Sequence, residues 1–361
     1  MDYIFNETFI NHSRHIIFLC GVSFNFRSVS DKRKVLKKFL EAQDIQNKVV
    51  ILEENFIFGK PLKRLLSYDD IFVKDLNDIE SLMALFANYI FIVHESISTA
   101  AELGMLASNK ELKNKICLLI PDEFAVEENK ISNFIDLGYF RKSNNITSIT
   151  YYPVRKAKKL SDNKIDWLTY FNNDTIGQNL GENIISFLSK NAPPPIHVQF
   201  KKEKYGKYDH NCKYSVYGTL NDSNLKATLS ADVLFYHVIS FFNIPEFNTE
   251  IRKEKQIKDH VSYLEAFYLN ILTNTFIELF GTKIAVDNVK VYISGTTQSF
   301  RDVLAFSLYV LQAIDYINMI ESHSDPKKRK IVIRTDLAEY CKECTGLYQE
   351  KKQSLFGRTM Q

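Results

Sequence analysis

Short apolar runs alternate with amphipathic stretches through the first half of the chain. HIIFLCG (15–21), KVVILEE (48–54), YIFIVHE (89–95), KICLLIP (115–121) and ITSITYYPV (146–154) have the length and the β-branched content of strands. Between them the apolar positions recur at helical spacing. Val35, Leu36, Phe39 and Leu40 follow Ser30, a candidate N-cap, and Leu76, Ile79, Leu82, Met83 and Phe86 follow Asp75. STAAELGMLASN predicts a short helix, and DTIGQNLGENIISFLSKN a closing one. Near-continuous apolar strands alternating with amphipathic helices predict an α/β fold, a Rossmann-like or flavodoxin-like parallel sheet with helices on both faces. Ligands of such sheets bind outside the carboxyl ends of the strands, here Cys20-Gly21, His94-Glu95 and Pro121.

Three consecutive prolines in APPPI (192–196) interrupt this pattern and favour an extended segment. They divide the chain into a first domain over 1–191, a linker at 192–196 and a second domain over 197–361. The second domain reads as mixed α+β. Two strands (IHVQFKKEK, KYSVYGTL) lead into helices (SADVLFYHVISFF, then 259–281). A strand (IAVDNVKVYIS), a helix over 299–322, the strand KIVIRTD and a terminal helix follow. Ser299 reads as the N-cap of the helix after ISGTTQ.

The composition narrows the class. With 361 residues, 45% hydrophobic content and a net charge of +3, the chain is neither disordered nor collagen-like. No apolar run approaches the roughly 18 residues of a membrane span, and the N-terminus has no signal-peptide pattern. No membrane association is expected. Five cysteines, an odd number, do not make a disulfide framework, so a cytoplasmic protein is expected. Cys341 and Cys344 form a single CxxC, and no second ligand pair lies near them in sequence. It reads as two cysteines one turn apart on a helix. No metal or cofactor is expected. Basic clusters at Lys201-Lys202 and Lys327-Lys328-Arg329-Lys330 are weak candidates for contact with nucleic acid or another partner.

The candidate chemistry lies in 75–107. There a strand (YIFIV) runs through a loop (HESIS) into the helix start TAAELG. A helix N-terminus at the carboxyl end of a parallel strand suits an anionic or phosphate-bearing ligand, and Ser96, Ser98 and Thr99 add hydroxyls beside Glu95. Glu102 has two readings. Thr99-Ala-Ala-Glu102 fits a capping box, with Glu102 reaching back to the N-cap amide. Alternatively, Glu102 presents a carboxylate at the mouth of the sheet, able to attack a sugar C1′ and break an N-glycosidic bond. Asp75 likewise reads as an N-cap or as the acid or orienting group for the departing base. Gly21 allows a close backbone approach to substrate, and Cys20 reads as a packed strand-end residue.

Asp75-Leu76-Asn77 before a helix, then a strand, a small-residue loop and Glu102-Leu103-Gly104, resemble the nucleoside 2-deoxyribosyltransferase family. In that family the Glu of Glu-Leu-Gly is the nucleophile. An Asn five residues before a Gly corresponds to Asn133 and Gly138. The usual loop Asp, six residues before the nucleophile, is replaced here by Ser96. The segments IFLCG (17–21), Glu95-Ser96 ahead of ELG, and the continuation from Ser108 to Leu118 are also similar to effectors of bacterial retrons of the St85/Ec86 type. The similarity covers about residues 15–155.

That resemblance implies an antiviral toxin acting as an N-glycosidase, with Glu102 and Asp75 catalytic and Gly21, Glu95, Ser96, Ser98, Thr99 and Asn133 binding substrate. It also implies partners: a retron reverse transcriptase and its multicopy single-stranded DNA (msDNA), in a homo- or hetero-oligomer. NAD is the favoured substrate. Its nicotinamide leaves from a positively charged ring and needs little acid assistance. Two other classes stay open: a nucleotide sensor without turnover, and a nucleic-acid-binding repressor or scaffold.

Overall fold

The computed structural model describes residues 3–10, 15–21, 25, 31–44, 46–55, 75–122, 149–153, 156–159, 165–168, 171–172, 175–202, 214–281 and 286–351. The chain divides into two compact units, Met1–Asn11 with Pro195–Gln361, and His12–Pro194. The change of unit in mid-chain falls within the proline run. Residues 1–11, which the sequence pattern grouped with the first half, belong instead with the second. They supply strands β1 (Tyr3–Phe5) and β2 (Thr8–Ile10) to that unit.

The His12–Pro194 unit is the parallel α/β unit expected from the alternating pattern. Its elements are β3 (His15–Gly21), α1 (Lys32–Gln43), β4 (Asn47–Val50), α2 (Leu52–Asn55), α3 (Leu76–Phe86), β5 (Tyr89–Val93), α4 (Ile97–Ser108), β6 (Ile116–Asp122) and β7 (Ile149–Pro153). Two short ladders follow, β8 (Lys156–Lys159) with β9 (Ile165–Leu168) and β10 (Phe171–Asn172) with β11 (Thr175–Ile176). Helix α5 (Gln178–Lys190) closes the unit. The sheet order is β4-β3-β5-β6-β7, all parallel. The direction of winding reverses between β3 and β5, which makes the gap beyond their carboxyl ends the switch point of the fold.

Every residue of β5 is buried. On one face Leu19, Phe91 and Val93 pack with Val35, Leu36 and Leu40 of α1 and Leu180, Ile184 and Phe187 of α5. Helices α3 and α4 pack on β3 as well. Two expectations needed adjusting. The N-cap of α1 is Asp31, whose carboxylate accepts from the Lys34 N–H at 3.0 Å. The run expected as strand to Glu54 leaves the sheet at Val50 and turns into α2. There Glu53 and Glu54 form ion pairs with Arg33 and Lys37, which lie one turn apart on α1.

The second unit is mixed α+β. It comprises β12 (Ile196–Lys202), β13 (Ser215–Asn221), β14 (Asn224–Leu229), α6 (Ala231–Phe241), α7 (Pro245–Ile251), β15 (Lys255–Gln256), α8 (Ile257–Phe280), β16 (Asn288–Ile293), α9 (Phe300–Ala313), β17 (Ile317–Glu321), β18 (Lys328–Ile333), α10 (Thr335–Glu343) and β19 (Tyr348–Glu350). A five-stranded sheet runs β16-β14-β13-β12-β2, a second β15-β18-β17, and β1 pairs with β19. The inner face of the larger sheet lies so close to α8 that a Cβ on Gly218 would fall 2.2 Å from the Phe276 ring. Ser299 caps α9 as expected. That helix stops at Ala313 rather than running to 322. Asp315 turns the chain at φ 60°, and the alternating Ile317–Glu321 then forms a strand. Cys341 lies buried in α10, its thiol donating to the Ile239 carbonyl at 3.2 Å, and Cys344 is the C-cap. Among the described residues no helix is long and apolar enough to cross a membrane.

Candidate active site

Gly21 ends β3 at the switch point with φ +125°. A Cβ there would lie 2.4 Å from the Val93 carbonyl oxygen and 2.8 Å from the Val93 nitrogen. Only glycine fits both the dihedral and the gap. What its missing side chain makes room for is the neighbouring strand. Held in this way, its backbone N–H donates to the carboxylate of Glu102.

Glu102 reaches that position because α4 starts earlier than the sequence suggested. Ser96, not Thr99, is the N-cap. The Ser96 hydroxyl accepts from the Thr99 N–H at 3.3 Å, and the Thr99 hydroxyl accepts from the Ser96 N–H at 3.1 Å. This reciprocal pair is the capping box. Glu102 therefore sits in the second turn, beyond reach of the N-cap amide. Its Oε2 atom is buried and finds no hydrogen-bond partner among the described residues. Burial, then the nearby Glu80 carboxylate, pushes its pKa up from 4.5 to about 7, against the pull of Arg33.

Glu102 lines a cleft of about 100 Å³ with Phe18, Leu19, Cys20, Gly21, Arg33, Leu52, Glu53, Leu76 and Glu80. Four of these residues, Arg33, Glu53, Glu80 and Glu102, have guanidinium or carboxyl side chains. Arg33, 2% exposed, holds Glu53 in a two-pronged ion pair at 2.7 and 3.0 Å. Glu80, on α3, faces the same space. Burial and the Glu53 charge raise its pKa to about 7. Two carboxyls that titrate near neutrality beside one fixed guanidinium can hold and pass a proton. Cys20 is buried against this acidic wall, and its thiol is pushed well above its usual range, which keeps it protonated.

A family profile described as "STM3845 retron effector protein" matches residues 29–319 of the chain. The protein belongs to that retron effector family. The match runs well beyond the stretch in which the sequence alone showed similarity, and it includes most of the second unit. A protein of Escherichia coli named "Retron Ec73 putative ribosyltransferase/DNA-binding protein" is 31% identical over 126 residues, 35% of this chain and 36% of that protein. The chain thus aligns with about a third of that relative's length.

The other residues singled out in this effector from its sequence have structural partners of their own. Asp75 is the N-cap of α3. It is exposed, and its carboxylate accepts from the Asn77 N–H at 2.8 Å. Glu95 forms an ion pair with Lys32 and accepts from the Tyr152 hydroxyl. Thr99 is fully buried, its hydroxyl 3.1 Å from His94 Nδ1. The exposed Ser96 and Ser98 hydroxyls bond each other at 2.7 Å. The loop hydroxyls thus define the start of α4. Asn133 lies outside the described residues.

Lys201 and Lys202 point to opposite faces of β12, and the Lys202 ammonium lies 5.2 Å from the centre of the Phe280 ring. Lys327 and Lys330 are exposed at the turn into β18 and within it. Lys328 and Arg329 are half-buried there, and Arg329 donates to the Pro326 carbonyl.

Sequence reasoning missed Arg33, Glu53 and Glu80. A signal was present for two of them. Glu80 lies at i+4 from Leu76, and Arg33 at i−3 from Leu36 and i−7 from Leu40, so each interrupts an apolar stripe with a charge.

Proposed function

We propose that this retron effector is an antiviral toxin that cleaves an N-glycosidic bond through Glu102, in a nucleoside deoxyribosyltransferase-like unit acting as a hydrolase. The observation that carries this reading is the buried Oε2 of Glu102 at the switch-point cleft, without a hydrogen-bond partner among the described residues, while the carboxylate accepts from the Gly21 N–H. The relative named for ribosyltransferase activity supports the same class of reaction. In the reaction, a Glu102 oxygen attacks C1′ as the C1′–N bond breaks, and the base departs with the bonding pair. Water then attacks C1′, a proton passes to Glu80 or to solvent, and the Glu102 carboxylate is restored. Glu80, rather than the exposed Asp75, faces the space where that proton moves.

NAD is the favoured substrate. With Arg33 tied to Glu53, the charged groups left facing the cleft among the described residues are the carboxyls of Glu80 and Glu102. They suit a cationic nicotinamide ring and gain from its charge, which draws both toward the ionised form. Nicotinamide leaves as a neutral molecule, so the step needs no acid. The reverse transcriptase and msDNA of the retron are the proposed partners that hold the effector in check. The test is chromatography after incubation with NAD and with a panel of nucleosides and nucleotides, with and without those partners. Nicotinamide release by the wild type but not by Glu102→Gln is expected. Release of a different base would change the substrate. Saturable binding with no release in any condition would refute catalysis and leave a nucleotide sensor.

A further inference from the structure

In the Met1–Asn11 and Pro195–Gln361 unit, the turn between α6 and α7, the end of β18 and the first turn of α10 line a cavity of about 280 Å³. Two of its lining residues are arginines, Arg252 at the C-cap of α7 and Arg334 at the N-cap of α10. The other described arginines have acceptors. Arg33 pairs with Glu53, Arg301 pairs with Glu265, and Arg329 donates to the Pro326 carbonyl. Among the described residues, the Arg252 and Arg334 side chains have neither a hydrogen bond nor an ion pair. The described lining includes no Asp or Glu. Glu250, two residues before Arg252, is already held by Lys253 and Lys255. Both arginines without an acceptor therefore meet at one cavity, and a guanidinium does not lose its charge.

The wall around them is preformed. Asn243 donates its side-chain amide to the Cys341 carbonyl within α10, and Asn248 donates to the Phe242 carbonyl at 2.8 Å. The first of these bonds ties the α6–α7 turn to α10. Phe242, Ile333 and Ala338 add apolar surface, and Thr335 adds a hydroxyl. Helix α10 starts here without a side-chain cap, so its positive end adds to the field of the arginines.

Two guanidinia without a carboxylate match a group that carries nearly two negative charges and several acceptor oxygens. A phosphomonoester is such a group. A phosphodiester, with one charge, leaves one arginine unbalanced. The volume lies just below the roughly 300–1,000 Å³ of ordinary small-molecule pockets, which suits a ligand of about mononucleotide size. We propose that this cavity binds a small phosphomonoester, with the phosphate between Arg252 and Arg334 and the body of the ligand against the apolar wall. The site is independent of the chemistry in the cleft.

The experiment is isothermal titration calorimetry of the full chain with AMP and with ribose 5-phosphate. Adenosine and an unphosphorylated dT20 are the probes without a monoester. Binding of either phosphomonoester is expected. Adenosine should not bind, and dT20 should not displace the bound phosphomonoester. Arg252→Ala and Arg334→Ala should each weaken binding roughly 10- to 100-fold. Ala338→Phe fills the cavity, leaves both guanidinia in place and should abolish binding. Glu102→Gln and Lys327→Ala/Lys330→Ala should bind as wild type does. Arg252, Arg334 and Ala338 are exposed, and thermal unfolding without ligand checks the fold of each variant. The phosphomonoester should raise the melting temperature of wild type but not that of Arg252→Ala/Arg334→Ala. Glycosidase turnover is not a readout, so failure here and failure of the cleft reading are separate results. Binding of neither phosphomonoester, equal binding of adenosine, displacement by dT20, or wild-type binding in any of the three cavity variants would overturn the assignment. So would a loss in Glu102→Gln, which would put the ligand in the cleft, or in the lysine variant.

Discussion

Glu102→Gln is expected to remove activity and raise stability together. The substitution keeps an oxygen for the Gly21 N–H and nearly the same volume, but removes a carboxylate that folding desolvates. The wild-type carboxyl titrates at about 7 in the folded protein, against 4.5 when unperturbed. Between these values the folded state holds the proton that the unfolded state has released. The folded state is therefore favoured at low pH and loses ground as pH rises through 7. The accumulated penalty is about 3 kcal/mol at pH 8 and under about 1 kcal/mol at pH 5.

Gln pays none of it. Calorimetry of the two proteins at pH 5 and pH 8 should then show similar melting at the lower pH. At the higher pH the variant should melt about 6–12 °C above wild type. If the variant melts lower than wild type at pH 8, or if the difference does not depend on pH, then Glu102 is not a desolvated carboxyl. The mechanism built on it would fall with that result.

Other substitutions separate the roles of the neighbouring residues. Gly21→Ala places a Cβ against the Val93 peptide at φ +125° and should cost at least about 2–3 kcal/mol in denaturant titration, with activity lost. Ser96→Ala removes the cap of α4, and about 1 kcal/mol of stability should go with it while product release persists. Asp75→Ala should show a similar cap loss, also with turnover retained, whereas Glu80→Gln should slow the water step and make the acidic side of the pH–rate profile shallower. Arg33→Ala should destabilise by about 1–3 kcal/mol. It should also move the pH optimum upward, because the guanidinium is what lowers both carboxyl pKa values.

The fold of the first half was legible because its signal is repetitive. Five short apolar runs, with β5 buried along its whole length, alternate with helices whose apolar positions recur at helical spacing, and they leave little room for another architecture. The position of the site followed from the same pattern, since the carboxyl ends at Gly21 and His94 are fixed once the sheet is parallel. The identities of its residues were harder to read. Ser96 and Thr99 are both good caps, and a three-residue shift of the helix start decides whether Glu102 is a cap or a free carboxylate. That shift depends on the Thr99 hydroxyl reaching both Ser96 and His94. Glu53 was unreadable for a different reason. Its run looks like strand, and only ion pairs to Arg33 and Lys37, on an element separate in sequence, turn it into a helix facing the cleft. In the second half, the strand after Asp315 was hidden because Ile and Met fit a helix as well as a strand. The turn depends on one residue at positive φ.

Strands β1 and β2 precede the α/β unit in the chain, yet their partners, β19 and β12, follow it. Residues 1–11 therefore leave the ribosome long before β12 and β19 exist for them to pair with. The whole α/β unit emerges in between and can finish its core by itself. At roughly 5–20 residues per second, the remaining chain needs on the order of 10–30 s more before β19 appears. For that interval a completed cleft is tethered to a neighbour still missing the end of its sheet system. A separately expressed 195–361 fragment would stay in that condition permanently, with β12 as a bare edge inviting strand pairing between copies. Supplying residues 1–11 as a peptide should close that edge.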